Sequence, residues 1–436
     1  MADVLIPKLY AEYGRYINQF RAFPSILDGA KIVERRILYS LYDVAKDQNQ
    51  KSAKVVGYCV GNFHPHGDVA AYLALVGMVQ NGLATGQGNW GSSVGIEETP
   101  AAAQRYTEVR SSKNILDMAF EYIKYVPFQA LELDEEPVFL PTKFPICLIS
   151  QPYYTQGMGF GYRTIIPCYK KEDLIKRLKW VLDGKQGQGP IIKPISDCDF
   201  LSPDSEFEKL LTTGDAKIEF KGKFHYEHGT EVVVTSLPQN KLFRSILSKF
   251  EKEIEIEKSL GWQDESDKET KVRFRVLKPR TLKLTDFTDK LKEQLTSSIS
   301  FECNMCNTQG KVVKISIDNM LLNVYNVYKQ VVEAVLKDNI AKINFDISQL
   351  ELIKRMKPLL SVELKQNPDD IEKVVKNISD VLQVKQEHIK EICDKYTISR
   401  IFRISTDTVK LNQELNENQK NLNNISDYIW NEKYIK

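Results

Sequence analysis

The stretch AAAQRYTEVR, residues 101–110, places a tyrosine directly after an arginine, behind three alanines and ahead of Thr107, Glu108 and Arg110. Small side chains let a backbone approach another group closely, and an arginine beside a phenol supplies fixed positive charge where an oxyanion forms. Tyr106 is therefore a candidate nucleophile, with Arg105 as its electrostatic partner. The plain alternative is a half-buried tyrosine on an amphipathic segment, one of twenty in the chain. The surrounding residues have to decide.

Bulk properties narrow the setting. The chain has 436 residues, and at about 150 residues per domain roughly three domains are expected. A composition that is 42% hydrophobic and 10% aromatic is that of a globular protein, and the charged residues balance to a net +2, so any basic surface must be local. Seven cysteines include one close pair, Cys303 and Cys306. That pair lacks the second cysteine or histidine pair of a structural zinc site, and ordinary packing is expected for it. The start, MADVLIPKLYAEYGRY, has no basic segment followed by an apolar run and a cleavage site. No apolar run of about eighteen residues occurs anywhere. The expectation is a soluble, cytoplasmic protein without membrane association.

Upstream of the tyrosine, from about 5 to 145, the chain reads mainly helical. In SILDGAKIVERRILYSLYDV (25–44), Ile32, Val33, Ile37, Leu38 and Leu41 recur at helical spacing, which puts Arg35 and Arg36 on the polar side. The glycine-rich loop ATGQGNWGSSVG (84–95) lacks the GKS or GKT ending of a phosphate-binding P-loop. Downstream, from about 146 to 320, short β-branched runs divided by turns predict strands: FPICLI (144–149), KIEFKGKFHYEHG (217–229), EVVVTSLP (231–238) and KVRFRVL (271–277). They are mixed with helices, one over 240–258, and GKQGQGP (184–190) is a polar hinge.

Beyond Asn319 no strand signal remains. Leu321, Tyr325, Tyr328, Val332 and Val335 alternate spacings of four and three, as do Leu411, Leu415, Asn418, Leu422, Ile425 and Ile429. That is the seam of a coiled coil, with Asn418 as its polar, register-setting member. An antiparallel arm carrying a small globule at about 345–405 is expected, with two unrelated amphipathic helices in a bundle as the alternative.

GNFHPHGD (61–68) carries two histidines and an aspartate in HxHxD spacing. Those residue types fit three readings: a metal site, imidazoles aimed by a rigid proline turn at phosphate oxygens, or a structural turn.

Taken in order, RAFPSILDGAKIVERRILY (21–39), VGYCVGNFHPHGD (56–68), GQGNWGS (86–92) and AAAQRYTEVR resemble the DNA-cleaving subunit of type IIA topoisomerases, the group that contains the gyrase breakage subunit and its relatives. QGMGFGYRTIIP (156–167), SLPQNK (236–241) and DESDK (264–268) extend the likeness. The short length, without a C-terminal DNA-wrapping β domain, is most similar to the T-even bacteriophage branch of that group.

The resemblance implies an α+β, multidomain fold. A winged-helix DNA-gate domain with the active-site tyrosine would span 1–145, an α+β tower 146–318, and a coiled-coil arm with a helical dimerisation gate 319–436. Tyr106 would attack a backbone phosphorus and form a phosphotyrosine on a DNA 5′ end, a bond that the 3′ hydroxyl can reverse without a cofactor. Arg105 would stabilise charge on the phosphorane oxygens and Arg21 would support the attack. His64 and His66 would hold the scissile region. Lys31, Arg35 and Arg36 would hold the DNA backbone as salt-sensitive contacts.

Met158 stands where the family inserts an isoleucine between base pairs, a wedge that kinks a duplex. Arg163, with Lys170, Lys171, Lys176, Arg177 and Lys179, would form a basic shoulder. Val69 and Leu73 occupy positions where bacterial relatives carry a serine and an acid. The resemblance further implies duplex DNA as substrate, a homodimer, and a separate ATPase/Toprim subunit. Mg²⁺ and ATP would both sit on that partner, since this chain shows no nucleotide motif and no acidic DxD signature, and ELDEE (132–136) reads as an exposed turn. The implied activity is that of an ATP-dependent type II DNA topoisomerase; a non-cleaving architectural DNA-binding dimer of the same fold is the alternative.

Overall fold

Helix α1 (Ala2–Ile17) runs directly into a π-turn over Asn18–Ala22. In the computed structural model, residues 2–92, 95–132, 134–227, 231–253, 261–267, 272–280, 282–367 and 370–435 are described. They divide into two units, Met1–Tyr328 and Lys329–Lys436. α2 (Ile32–Val44) opens with a one-sided cap, in which the Glu34 carboxylate accepts from the Lys31 backbone N–H at 2.9 Å. That contact satisfies a donor which the first turn cannot pair within the helix. β1 (Gln50–Lys51), α3 (Ser52–Asn62), α4 (Asp68–Gln80), β2 (Ala84–Gln87) and β3 (Glu108–Ser111) follow.

The three strands make one antiparallel sheet in the order β1-β3-β2, with Val109 opposite both Gln50 and Gly86. Ile37, Leu41, Val55, Cys59, Leu75 and Val109 are fully buried and form the core between sheet and helices. This sheet departs from the mainly helical expectation. β1 has two residues and β2 exposes three of its four, so neither shows the alternating apolar pattern that marks a strand. Their pairing comes from contacts with β3, distant in sequence. After α5 (Lys113–Ile115), β4 (Phe128–Ala130) and β5 (Glu135–Pro137) form a small ribbon.

β6 (Tyr154–Met158), β7 (Arg163–Pro167), β8 (Asp199–Phe200), β9 (Asp215–Lys221) and β14 (Thr296–Glu302) build a five-stranded sheet ordered β6-β7-β14-β9-β8. α6 (Lys171–Leu182) and α7 (Asp204–Thr213) bury Leu174, Leu178, Phe207 and Leu210. A second sheet of β10 (Phe224–Glu227), β11 (Glu231–Val234), β12 (Trp262–Asp264) and β13 (Phe274–Leu277) runs in the order β10-β11-β13-β12. It carries its own apolar core with α8 (Phe243–Glu253) and α9 (Leu284–Gln294), in which Phe243 stacks on Phe274 at 3.9 Å between ring centroids. β15 (Asn304–Cys306) and β16 (Val312–Lys314) close the series.

FPICLI is not a strand. Ile146–Leu148 form a buried 3₁₀ turn, because the Ile146 and Cys147 N–H groups donate to the Asp28 and Gly29 carbonyls of the loop before α2. The helix expected over 240–258 is present over Phe243–Glu253. Its 254–258 portion lies outside the described residues, as do 93–94 of the glycine-rich loop, 133 of ELDEE, 268 of DESDK, and 228–229 and 271 of two expected strands.

From Asn319 onward every element among the described residues is helical. α10 (Ile317–Gln366) is followed by α11 (Ile371–Leu382), α12 (Gln386–Lys395), α13 (Ile398–Arg403), α14 (Val409–Asn423) and α15 (Ile425–Ile429). Ile353, Met356, Leu360, Ile378, Ile389 and Ile401 share one small core. Leu321, Tyr325, Tyr328, Val332 and Val335 are buried, Ile429 is buried, and Leu411, Leu415, Leu422 and Ile425 are half-buried. Asn418 uses its amide on its own helix, donating to the Glu414 carbonyl at 2.9 Å. No helix among the described residues is long and apolar enough to cross a membrane.

Candidate active site

Tyr106 sits on a turn immediately before β3 and is 64% exposed. The turn is stitched to the starts of two helices. Ser52 and Ala53, the first residues of α3, donate their N–H groups to the carbonyls of Thr107 (3.0 Å) and Gln104 (3.1 Å). These are donors that a helix cannot satisfy internally, and they belong to the positive end of its dipole. From α4, Tyr72 donates to the Ala102 carbonyl at 2.5 Å, and Asp68 accepts from the Gln104 amide at 2.6 Å. Thr107, fully buried, donates to the Ser52 hydroxyl at 2.8 Å. One residue beyond this anchored frame, the phenol reaches solvent with the Arg105 guanidinium carbon 4.6 Å from its ring centroid.

HPHGD lies between α3 and α4 and scatters its side chains. His64 is buried, and its Nδ1 faces the Arg36 Nη1 at 3.2 Å. Arginine can only donate, so that nitrogen accepts and the remaining N–H lies on Nε2. Burial, assisted by the Arg36 charge, pushes the His64 pKa down to about 4. His66 is half-buried and bridges the Arg21 guanidinium (3.3 Å) to the Tyr16 hydroxyl (3.0 Å). Its pKa is also lowered, by burial and then by Arg21 and Arg36. The two rings stand perpendicular with centroids 4.7 Å apart. The expectation that a proline turn aims both imidazoles at one target is therefore corrected: His64 turns inward to Arg36, and His66 turns to Arg21 and Tyr16.

Arg35 and Arg36 are likewise corrected. Neither projects from the polar side of α2. Arg35 forms a two-pronged pair with the fully buried Asp28 (2.7 and 3.0 Å), and Arg36 does the same with the buried Glu136 (2.6 and 2.9 Å). Helical spacing placed them on a polar face; the buried acids that meet them make that face an interior. Lys31 keeps its N-terminal position on α2 and donates from Nζ to the Gln156 carbonyl at 2.5 Å.

Met158 ends β6 opposite Arg163, the first residue of β7, and is 85% exposed. The hairpin tip is clamped by Asn18 of the π-turn, which accepts from the Phe160 N–H (2.5 Å) and donates to the Phe160 carbonyl (3.1 Å). Gly157 and Gly159 are required by this approach, since a Cβ on them would come within 2.0 Å of the Ala22 carbonyl and 2.3 Å of the Asn18 amide oxygen. Sequence reasoning singled out QGMGFG for its methionine and missed the part that Asn18 plays; the paired glycines were the available signal. Arg163 is half-exposed and pairs with Glu302 at 3.3 Å. The expected basic shoulder is smaller than the sequence indicates, because Arg177 is fully buried between Asp318 and Glu208, while Lys176 and Lys179 pair with Asp173 and Asp183.

No trio of histidine, cysteine or acidic side chains suited to a metal ion lies among the described residues. Asp68 is engaged by Gln104, and Glu108 by Lys51 at 2.7 Å. These carboxylates are thus each paired with a neighbouring side chain. Cys303 and Cys306 are both buried, free thiols.

Tyr106 is thus an exposed tyrosine under an arginine, on a turn tied to the starts of two helices, while the exposed Arg21 and half-buried His66 form a hydrogen-bonded pair of their own. The chain belongs to the family of the A subunits of DNA gyrase and topoisomerase IV, whose model matches residues 21–436. It is 32% identical over 317 residues to the A subunit of DNA topoisomerase 4 from Haemophilus influenzae, covering 68% of this chain and 41% of that protein. It is 32% identical over 282 residues to the DNA gyrase A subunit of Thermotoga maritima (59% of this chain, 34% of that protein) and 34% identical over 292 residues to that of Helicobacter pylori (61% and 34%). The matches thus cover 34–41% of the length of these relatives.

Proposed function

We propose that this chain is the DNA breakage–reunion subunit of an ATP-dependent type II topoisomerase. The observation that carries the reading is Tyr106, exposed beneath Arg105 on a turn that the rest of the site holds still. Its phenolic oxygen attacks a backbone phosphorus, and the bond from phosphorus to the deoxyribose 3′ oxygen breaks. The electron pair leaves on that oxygen, which takes up a proton, and a 5′-phosphotyrosine remains. Reversal by the 3′ hydroxyl reseals the strand. Arg105 offsets charge on the non-bridging oxygens. Arg21 offers guanidinium N–H donors, held in place by its hydrogen bond to the His66 Nδ1. Arg36 and His64 act one layer behind, as buried support that fixes α2 against the HPHGD loop, while Arg35 ties α2 to Asp28 of the preceding loop.

The remaining assignments belong to the same proposal. Residues 1–145 act as a winged-helix DNA gate, supported by the order α2-β1-α3-α4-β2-β3 and its three-stranded antiparallel sheet. Residues 146–318 act as the tower, with Met158 as wedge and Lys31 and Arg163 as backbone contacts. Residues 319–436 act as a coiled-coil arm and dimerisation gate, supported by the inward seam residues. The working assembly is a homodimer with a separate subunit that carries the ATPase and Toprim modules, Mg²⁺ and ATP. Val69 and Leu73, both exposed on α4, cannot accept a hydrogen bond where bacterial relatives carry a serine and an acid, so weak poisoning by fluoroquinolones is expected.

The test is a denaturant quench of the assembled complex on supercoiled plasmid with Mg²⁺. Protein left covalently on both strands is expected; DNA bound tightly but never linked would instead make the chain an architectural dimer. The purified chain alone, freed of the partner, is expected to bind duplex and cut nothing.

A further inference from the structure

From Gly88 to Tyr106 the chain makes an excursion that is tied down at its neck and again at its tip. At the neck, the Ala102 N–H donates to the Asn89 carbonyl (3.0 Å), and Ser92 and Thr99 exchange two backbone hydrogen bonds of 2.9 Å. Gly91 adopts φ +70, where a Cβ would lie 2.3 Å from the Thr99 carbonyl oxygen, so only glycine closes this neck. At the tip, the carbonyls of Gly95 and Ile96 accept from the N–H groups of Phe243 (3.1 Å) and Arg244 (3.2 Å). Those are the leading donors of α8, which the helix cannot pair within itself. The Ile96 side chain packs against the core of the four-stranded sheet, and the Glu97 carboxylate meets Arg244 Nε at 2.5 Å.

We propose that residues 95–97 form a strap through which the four-stranded sheet positions Tyr106, with Ile96 as the positioning residue; this rests on the reading of Tyr106 as the strand-cleaving nucleophile. Both partners of the Glu97–Arg244 pair are more than half exposed, and such solvated pairs contribute little. Ile96 is partly buried against the sheet's core and removes apolar surface from water, so Ile96 and the two helix-capping carbonyls dominate the anchor. The Tyr106 turn is thus held on one side by the starts of α3 and α4 and on the other by α8. Between the two anchors the chain runs through Pro100 and three alanines, whose side chains are too small to fix it by packing. Loosening the tip leaves this side of the turn to the Ser92–Thr99 and Ala102–Asn89 bonds of the neck, and a displacement of about 1 Å at a reacting group can lower a rate about a hundredfold.

The experiment uses the assembled complex on supercoiled plasmid. SDS-trapped covalent product is measured beside duplex affinity and the thermal midpoint. Ile96→Ser is expected to lower covalent product about ten- to a hundredfold while duplex affinity stays within about twofold, since no phosphate contact is removed. Ile96→Val, which keeps the branched apolar body, is expected to restore most of the product and guards against a variant that merely fails to fold. Glu97→Arg is expected to change cleavage less than about threefold. Wild-type cleavage by Ile96→Ser, or affinity and cleavage falling together, overturns the proposal. Tyr106→Phe in parallel separates the two claims: if it still cleaves, the nucleophile reading falls; if it is inert while Ile96→Ser is fully active, only the strap falls.

Discussion

The guanidinium carbon of Arg105 lies 4.6 Å from the centroid of the Tyr106 ring, and both side chains are exposed. The contact orders a cation beside the phenol before any substrate arrives, so its charge needs little reorganisation when a phosphorane forms. Arg105→Gln is expected to lower covalent strand cleavage about 10²–10³-fold, the loss typical of one preorganised oxyanion donor. Duplex affinity should fall only by the share of a single phosphate contact. Equal losses in both, measured by quench and by filter binding, would make Arg105 a binding residue rather than a catalytic one.

Arg36 and Glu136 give a contrast in stability. Glu136→Gln strands the Arg36 charge in the interior, and breaking a buried pair from one side costs about 3–5 kcal/mol. Replacing both residues with apolar ones of similar volume, Arg36→Met with Glu136→Leu, should recover most of that loss. Lys31→Ala, by comparison, should leave stability within about 1 kcal/mol and reduce the salt slope of DNA binding by about one. Chemical denaturation and salt titrations read the two effects separately. A salt slope altered by Glu136→Gln with stability intact would return Arg36 to the DNA surface.

These two arginines also mark where sequence reading stops. The period of α2 was legible in its apolar positions, as were the strands at EVVV and FRVL, the helical character beyond Asn319 and the Arg105–Tyr106 pair. Each of these is written in local spacing or local residue chemistry. β1 and β2 were not legible, because two polar residues and a Thr-Gly-Gln run become strands only by pairing with β3. The interior place of Arg35, Arg36 and Arg177 was hidden for a related reason. Asp28, Glu136 and Asp318 neutralise them, and two of those three partners lie about a hundred residues or more away.

His64 links stability to pH. Its pKa is near 4 in the folded chain, against the usual value of 6.5, because burial and the Arg36 charge disfavour the imidazolium, with His66 and Arg21 acting the same way and Glu136 against them. Between those two values the unfolded chain binds a proton that the folded chain refuses. The contribution to stability is therefore complete above pH 6.5 and is lost as the pH falls toward 4. His64→Gln should flatten the fall in thermal midpoint across that window, whatever it does to the midpoint near neutral pH. An unchanged slope would mean that other groups carry the acid sensitivity.

Met158 is a test of shape without charge. It is 85% exposed at the end of a hairpin clamped by Asn18, so Met158→Ala should change stability by less than about 0.5 kcal/mol. Loss of the wedge should reduce DNA bending and cleavage together, because unstacking a base step takes a few kcal/mol that the inserted side chain has to offset. Fluorescence transfer across an end-labelled duplex measures the bend. Normal bending by the alanine variant would move the wedge to another residue.

The central claim concerns one oxygen atom, and the most direct measurement locates the covalent link. The complex of this chain with a subunit carrying ATPase and Toprim modules is quenched on plasmid in the presence of Mg²⁺, the DNA is digested with nuclease, and peptides are analysed by mass spectrometry. The account predicts a nucleotide attached through its 5′ phosphate to the peptide that contains Tyr106, and no such adduct from the Tyr106→Phe complex although it still binds duplex. An adduct on any other residue, or one that survives in the Phe variant, would contradict it.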